Sequence, residues 1–513
     1  MSAVETYHGW KRDRAGSWAL GLSVPRALLV VVAVMMTGLV VANGAWSALP
    51  VVLPVAGLML IAAWLRVQGL AVGEWVLRMV RFRRAKARRE TWYAGAAWQP
   101  AADPVADPAG LPRADLPGVL APLRFLEEEL GAGTPVAVVH HPYEQTYTVV
   151  LQIQFPGLAL ADASSAARRV GAWGALLAGW CEEGKPVTRV GLYQRYLPED
   201  GAELVQWTAA HTMGDAPPLA SSTAAALLGG QQVWQSRHEA YLAISLSQPR
   251  ARSAIRAAGG GDTGAAAVLI REVGAALDRM RSAGIEVRRW LGVRDLAEVI
   301  RTAFDPHAAG PRAAHRAAAG DPAWAGTPPG VDPELAGPAA AEAKLGSYQH
   351  DGGYSVTYQV YEWPRSPVAA GGLVPVLRST ATARRAIAMV YEPLPPSQAE
   401  RAVLGDITRS SFSVSMRQRT GGLVRTSERQ ALADAQRQEA ENALGHGLVR
   451  FAGYLTVTVT DPQRLEEACA ELEADAAGQG CRLILRRLWM AQDAAFAATL
   501  PLGLGLPSTR AWA

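Results

Sequence analysis

The chain has 513 residues, of which 50% are hydrophobic and 19% are charged. This length exceeds that of one ordinary domain, so we expect a membrane segment together with two or three soluble domains. The formal net charge is only +4, which does not by itself call for a polyanionic partner. Cys181, Cys469 and Cys481 lack the C-x-x-C spacing of zinc and redox motifs, which favours a packing role in a reducing compartment.

The first long feature of the sequence is an apolar run near its start. No charged residue occurs over residues 27–65, and this run exceeds the length of about 20 residues that one membrane-spanning helix needs. Asn43, Gly44 and Pro50 favour a turn within the run. We therefore predict a transmembrane helical hairpin over residues 27–65, following a cytoplasmic N-terminus over residues 1–26.

Positive charges flank this apolar run on both sides. Four Lys or Arg residues precede it, eight follow it within residues 66–94, and none lies between the two predicted helices. Membrane proteins carry an excess of Lys and Arg in their cytoplasmic loops. We therefore expect a multi-pass protein of the cell (cytoplasmic) membrane whose two termini both face the cytoplasm.

Most of the charges after the hairpin belong to a basic interfacial helix predicted over residues 66–94. Its basic residues are candidate contacts with the membrane surface: Arg78, Arg81, Arg83, Arg84, Lys86, Arg88 and Arg89. An interfacial helix whose arginines set the topology is the simpler interpretation. The alternative is electrostatic binding of acidic lipids or of nucleic acid, for which these charges are the sole support.

The rest of the sequence completes a membrane-anchored α+β fold. A Pro-, Ala- and Asp-rich linker over residues 95–118 leads into a first α+β domain over residues 119–306. An Ala-, Pro- and Gly-rich loop over residues 307–346 precedes a second α+β domain over residues 347–513. Within this second domain, the polar residues 397–446 favour a helical arm available for contact with another subunit.

Two stretches of the sequence share one order of predicted elements: strand, helix, strand, helix. The first stretch covers residues 238–304 and the second covers residues 449–500. Further strands are predicted before the second stretch, at residues 347–362 and 386–391. This repetition indicates repeated ferredoxin-like α+β layers.

No catalytic motif is complete in the sequence. The pair Gly184-Lys185 is followed by Pro186 and lacks the downstream Ser or Thr of a phosphate-binding P-loop. His140 and His141 are neighbours on a predicted strand, where adjacent side chains point to opposite faces and do not easily chelate one ion. The acidic run Glu127–Glu129 is interpreted as a solvated edge. We therefore expect no enzyme activity, no cofactor and no metal site.

Four phrases of the sequence resemble a known family: GAWGALLAGW (Gly171–Trp180), VYEPLPP (Val390–Pro396), RFAGYLTVT (Arg450–Thr458) and FAATLPLG (Phe496–Gly503). Together with the order of the parts, they resemble an actinobacterial family of membrane proteins associated with type IV secretion and conjugation. The resemblance is to a two-helix inner-membrane subunit fused to the N-terminal, non-ATPase half of a traffic ATPase of the TraC or TrbE type.

This resemblance implies a non-catalytic scaffold or assembly subunit that docks a separate P-loop traffic ATPase. In such ATPases the Leu-Pro phrase leads into the motor domain, whereas this chain ends at Ala513, so no nucleotide-binding residue is transferred from the family. The implied partners are that ATPase, other membrane subunits of the secretion machine, the lipid bilayer and further copies of this chain. A core membrane component of a type VII secretion apparatus and a membrane-tethered nucleic-acid-binding protein are the alternatives.

Overall fold

A computed structural model describes most of the chain, as two compact units. The described residues are 6–7, 24–68, 70–95, 115–131, 133–155, 163–199, 208, 211–213, 216–230, 235–311, 328–364, 368–369, 373–377, 383–419, 426–478 and 480–505. One unit, here called the sheet unit, comprises Met1–His8, Thr91–Pro395 and Gly447–Ala513. The other, the helical unit, comprises Gly9–Glu90 and Pro396–His446.

The helices of the described residues follow one another along the chain. They are α1 (Val24–Ala42), α2 (Leu49–Trp64), α3 (Val72–Ala87), α4 (Ala163–Ala178), α5 (Pro218–Gly230), α6 (Gln248–Ala257), α7 (Gly261–Gly274), α8 (Leu277–Ser282), α9 (Val293–Phe304), α10 (Val374–Leu377), α11 (Pro396–Arg419), α12 (Thr426–Ala443), α13 (Leu465–Ala477) and α14 (Gln492–Ala497). In the helical unit, α1 packs against α2, and α11 packs against α12.

The strands are mostly in the sheet unit. They are β1 (Thr6–Tyr7), β2 (Arg66–Val67), β3 (Leu70–Ala71), β4 (Trp92–Ala94), β5 (Arg124–Leu130), β6 (Thr134–His141), β7 (Thr146–Gln154), β8 (Val187–Glu199), β9 (Gln235–Ser247), β10 (Glu286–Trp290), β11 (Ala340–Ala343), β12 (Tyr348–His350), β13 (Gly353–Glu362), β14 (Val368–Ala369), β15 (Arg384–Leu394), β16 (Leu448–Val459) and β17 (Ile484–Arg487). Two short antiparallel pairs, β1 with β14 and β2 with β3, stand apart from the main sheet.

Thirteen strands form one antiparallel sheet, which confirms the predicted α+β class. Their order is β4-β11-β12-β13-β16-β15-β8-β9-β7-β6-β5, with β10 added beside β7 and β17 beside β13. The centre of the sheet is the pair β8–β15, in which Tyr193 lies opposite Ala388. The order of strands is similar on the two sides of this pair.

The two sides of the sheet repeat one arrangement. On one side β7, α4, β8, β9, α6–α8 and β10 follow in the chain, and on the other β13, α10, β15, β16, α13 and β17. When the four strands of each set are numbered in chain order, their order within the sheet is fourth, first, third, second. The first set is therefore arranged β10-β7-β9-β8 and the second β17-β13-β16-β15. The central strands carry similar sequences, YLAISL at Tyr241–Leu246 and YLTVTV at Tyr454–Val459. The two α+β segments predicted from the sequence therefore share one sheet, and the boundary predicted at residues 307–346 falls within one compact unit.

Helices cover both faces of the sheet. On one face, Ile300 of α9 and Phe496 of α14 belong to a core that includes Tyr241 of β9. On the other face, the neighbouring residue Leu242 belongs to a core built from α4, α6, α7 and α8, because successive side chains of a strand point to opposite faces. The second half has its own core on that face, which contains Leu472 of α13.

The segment that follows α14 crosses to strands of the first half. It comprises Leu500–Gly505 and lies in the core shared by the two halves. Its carbonyl groups accept hydrogen bonds from Arg189 at Gly503, from Tyr193 at Leu504 and from Tyr454 at Gly505. The end of the FAATLPLG phrase is therefore held by β8, and the two residues after it are held by side chains of β8 and β16.

The segment that follows α9 makes the reciprocal crossing to strands of the second half. Arg384 of β15 donates to the carbonyl oxygens of Thr302 and Pro306. His350 of β12 bonds to the carbonyl oxygen of Phe304. Each half of the sheet thus holds the end of the other half's last helix, and this exchange joins the two halves on one face.

Several elements differ from those predicted. The strand predicted at 347–362 is two strands, β12 and β13, because Asp351 adopts a positive φ of 39° in a turn between them. The first helix predicted within the first repeat is two helices, α7 and α8, and an additional helix, α6, precedes them. Gly259–Gly261 adopt positive φ values between α6 and α7. The described part of the predicted loop at 307–346 contains β11, which pairs with both β4 and β12.

The basic helix predicted at residues 66–94 is shorter than expected. Its helical part is α3, while Trp92–Ala94 form strand β4. The predicted linker is described only at its ends, because residues 96–114 lie outside the described residues, as do residues 312–327 of the predicted loop. The segment predicted as a helical arm contains α11 and α12.

Candidate functional site

The helix α2 is apolar, and most of its surface is exposed. Its side chains Val51 and Leu58 are 68% and 69% exposed. The stretch Trp46–Ala63 has 18 residues with a mean hydropathy of 2.0 and is 11% buried. Among the described residues it is the one helix long and apolar enough to cross a membrane, and the apolar part of α1, Leu28–Ala42, is shorter. Of the two helices of the predicted hairpin, one is therefore both long enough and apolar enough to cross a membrane.

The predicted surface-contact residues lie together at the C-terminal end of α3 and in the turn after it. Arg78 is half-buried, and the other six, Arg81, Arg83, Arg84, Lys86, Arg88 and Arg89, are exposed. Arg84 and Lys86 lie in the last turn of the helix, where the partial negative charge of the helix end favours cations. Of these cations, Arg88 lies 3.7 Å from a carboxylate oxygen of Glu90. The structure therefore collects the predicted cations at one end of a helix.

The two neighbouring histidines have different partners. His140 stacks on Tyr147, with ring centroids 4.4 Å apart, and its Nδ1 lies 3.9 Å from Asp262. His141 accepts a hydrogen bond from the backbone N–H of Glu144 at its Nδ1. Burial lowers the pKa of both imidazoles, so both are mainly neutral at pH 7. The described residues contain no group of three or more side chains that could hold a metal ion.

A buried chain of hydrogen bonds connects His350 to the centre of the second half. The Nδ1 of His350 bonds to the carbonyl oxygen of Phe304, which can only accept, so Nδ1 is the donor. The Nε2 atom then accepts from the hydroxyl of Ser355 at 2.7 Å, and Ser355 accepts from Thr458 at 2.7 Å. Burial lowers the pKa of His350 to about 4, which keeps the ring neutral and the network in this arrangement.

A cavity of about 50 Å³ lies where β8 and β15 meet beneath α9 and α14. We call it the junction cavity. Its charged and hydroxyl-bearing lining includes Arg195, Arg384, Thr302, Thr456, Thr458 and Thr499. Gln194, Tyr196, Ala303 and Ala386 also line it and keep part of their surface exposed. Positively charged groups from both halves of the sheet therefore meet at one internal space.

The carboxylate of Glu239, next to the junction cavity, forms two ion pairs and one hydrogen bond with side chains. Glu239 lies 2.7 Å from Arg195 and 3.2 Å from Arg237, and it accepts a hydrogen bond of 2.6 Å from the hydroxyl of Tyr241. Burial alone would raise the pKa of Glu239, but the charges of Arg195 and Arg237 and the hydrogen bond from Tyr241 lower it to about 2. Glu239 is therefore ionised at pH 7.

No local pattern in the sequence predicts the junction cavity. Arg195 and Arg384 come together only because β8 pairs with β15, and no local pattern predicts pairing across such a separation in the chain. A weaker signal was present in the strands themselves. Glu239 is a buried residue in a strand whose other buried residues are uncharged, and buried charges are rare unless they are paired.

No protein-family model matches the chain, and no curated protein matches it. The resemblance to secretion and conjugation proteins therefore stays a prediction.

Proposed function

We propose that this protein is a membrane-anchored, non-catalytic scaffold of a type IV secretion or conjugation machine, and that it docks a separate traffic ATPase. The exposed apolar surface of α2 carries the proposal. Side chains such as Leu58 are unfavourable in water, and burying each of them in lipid gains roughly 1.5–3 kcal/mol. In this proposal α1 and α2 form the two-helix hairpin in the bilayer, and both termini face the cytoplasm.

The basic end of α3 supports the cytoplasmic placement. Each Lys or Arg near an anionic membrane surface contributes about 1 kcal/mol of attraction. Six of the seven predicted cations are exposed, and they follow the hairpin closely in the chain. We propose that they contact lipid headgroups at the cytoplasmic face.

The arrangement of the sheet unit supports a docking role. We propose that each half is a ferredoxin-like unit, because its strands follow the β-α-β-β-α-β order and lie in the sheet order fourth, first, third, second. The same layers are implied by the resemblance to the non-ATPase half of traffic ATPases. We propose that α11 and α12 contact another copy of the chain, and the apolar side chains of Leu404 and Phe412 are exposed on α11.

We propose that the protein is not catalytic because its reactive side chains are hydrogen-bonded or buried. The buried hydroxyl of Ser355 and the ring of His350 are both used in hydrogen bonds that hold the crossing segments. Cys181, Cys469 and Cys481 are buried, and burial raises the pKa of each thiol. A protonated, enclosed thiol is a poor nucleophile, so these groups are assigned to packing.

Purification from native membranes tests this proposal. We expect an affinity-tagged full-length protein, extracted with mild detergent, to co-purify with a P-loop ATPase encoded near its own gene and to elute as an oligomer. The matched control is a variant lacking residues 397–446, which should retain the membrane anchor and lose the oligomer. A monomer that recovers no ATPase would contradict the proposal.

A further inference from the structure

We propose that the junction cavity binds a phosphate group, held by the guanidinium groups of Arg195 and Arg384. This site is separate from the apolar helices and from the basic end of α3. It lies within the sheet unit, between strands of the two halves. Its occupant would contact both halves at once.

The charges around the junction cavity do not balance. Glu239 is the carboxylate that pairs with Arg195, and it also pairs with Arg237 at 3.2 Å. Arg384 forms no ion pair among the described residues. Among the described residues, Arg195 therefore has a carboxylate partner and Arg384 has none, and a bound anion would compensate the charge of Arg384.

The comparison of the two halves shows which partner Arg384 lacks. Arg189 at the start of β8 and Arg384 at the start of β15 occupy corresponding places, and both hold a crossing segment. Arg189 pairs with Glu144, in the turn before β7, at 3.0 Å. The residue in the corresponding turn before β13 is Asp351, and it pairs with Arg301 at 3.0 Å instead. The charge that neutralises Arg189 therefore has no counterpart at Arg384.

The pKa of Arg384 also reflects the lack of a carboxylate partner. Burial and the nearby positive charge of Arg195 lower the pKa of Arg384 to about 10, which still leaves it protonated at pH 7. The nearby carboxylate of Asp305 opposes this shift, but it pairs with Arg301 at 3.2 Å. An anion between Arg195 and Arg384 would relieve their repulsion.

Both arginines keep N–H donors for a ligand. A guanidinium group has five N–H donors. Arg195 uses three of them, two toward Glu239 and one toward the carbonyl oxygen of Val299. Arg384 uses two, toward the carbonyl oxygens of Thr302 and Pro306. Planar guanidinium groups with free donors match the oxygens of a phosphate, to which they bind in a bidentate manner.

The size of the junction cavity selects a small anion. Its volume of about 50 Å³ is several times the ~10–15 Å³ that one water molecule requires. That space accommodates a single phosphate group but no nucleoside. The group can come from free inorganic phosphate or from a nucleotide whose base and ribose remain outside, and the shared chemistry is the tetrahedral oxyanion.

Calorimetric titration of the full-length protein in detergent tests the inference. The probes are inorganic phosphate, pyrophosphate and ATP. We expect saturable binding of phosphate in the millimolar range or tighter, and a loss of about tenfold or more in Arg384→Gln because a charge-assisted hydrogen bond is removed. Tighter binding of ATP with the same dependence on Arg384 would identify a nucleotide as the source, and equal or weaker binding would identify free phosphate.

The matched control is Arg189→Gln, which removes the corresponding arginine of the other crossing and does not line the junction cavity. Its phosphate affinity should stay within about twofold of the unmodified protein. Arg384→Lys keeps the charge and loses the planar fork, so its affinity should be intermediate, and it replaces the glutamine variant if that variant does not fold. No saturable binding of any probe, or equal losses in Arg189→Gln and Arg384→Gln, would overturn the proposal.

Discussion

At the scale of single residues, Gly503 is the point where the crossing segment approaches the sheet most closely. Its φ is +74°, and an added Cβ would overlap the hydroxyl oxygens of Thr148 and Ser245. Those hydroxyls bond to each other at 2.8 Å. The corresponding pair in the other half, Ser355 and Thr458, is bonded at 2.7 Å. Only a residue without a side chain fits against this polar pair.

We therefore predict that Gly503→Ala destabilises the protein. A side chain in the left-handed region costs about 1–2 kcal/mol, and overpacking a core adds about 1–3 kcal/mol. The midpoint of thermal unfolding of the full-length protein in detergent should fall by about 4 °C or more. The matched control is Gly171→Ala in α4, where an added Cβ meets nothing within 4 Å. The unfolding midpoint of Gly171→Ala should stay unchanged or rise. An unchanged midpoint in Gly503→Ala would contradict the placement of the crossing segment.

At the scale of elements, local patterns predicted the helices and strands that carry their own signals. The helix α9 was predicted with its observed bounds because apolar residues recur at helical spacing. In the structure, the side chain of Asp295 accepts a hydrogen bond from the backbone N–H of Gly292 at the start of the helix. The strands β9 and β16 were predicted within a few residues from their apolar and β-branched composition. The segment predicted as one strand at residues 347–362 is two strands, because the turn at Asp351 divides it.

Elements that depend on distant partners escaped prediction. The short strand β11 has the sequence AAEA and no signal of its own, and it forms because β4 and β12 lie on either side. The junction cavity escaped for the same reason. A strand's neighbour is set by the packing of the whole sheet, which a local pattern does not contain.

A charge placed in the middle of α2 tests the role proposed for this element. We predict that Leu58→Asp reduces membrane insertion, because an aspartate near the centre of a spanning helix costs about 2.5–3.5 kcal/mol. The fraction of the protein retained in membranes after an alkaline wash is the measurement. Leu58→Ala is the control and should insert almost normally. Equal retention of both variants would indicate that α2 does not contact lipid.

At the scale of the whole molecule, the sheet unit is two similar halves joined by one strand pair and by two reciprocal crossings. Arg384 holds the segment after α9, and Arg189 holds the segment after α14. Because each half contributes to the core of the other, we expect the two halves to unfold together. A single rigid docking platform suits the scaffold role proposed for the sheet unit.

The proposed function depends on anchoring of the chain in a membrane by the apolar residues 27–65. The decisive measurement is sedimentation of membranes from cells that produce the full-length protein, followed by a wash with alkaline carbonate. We expect the protein to stay in the membrane pellet after the wash and to be released by detergent. Recovery of the protein in the supernatant of broken cells, without detergent, would contradict it.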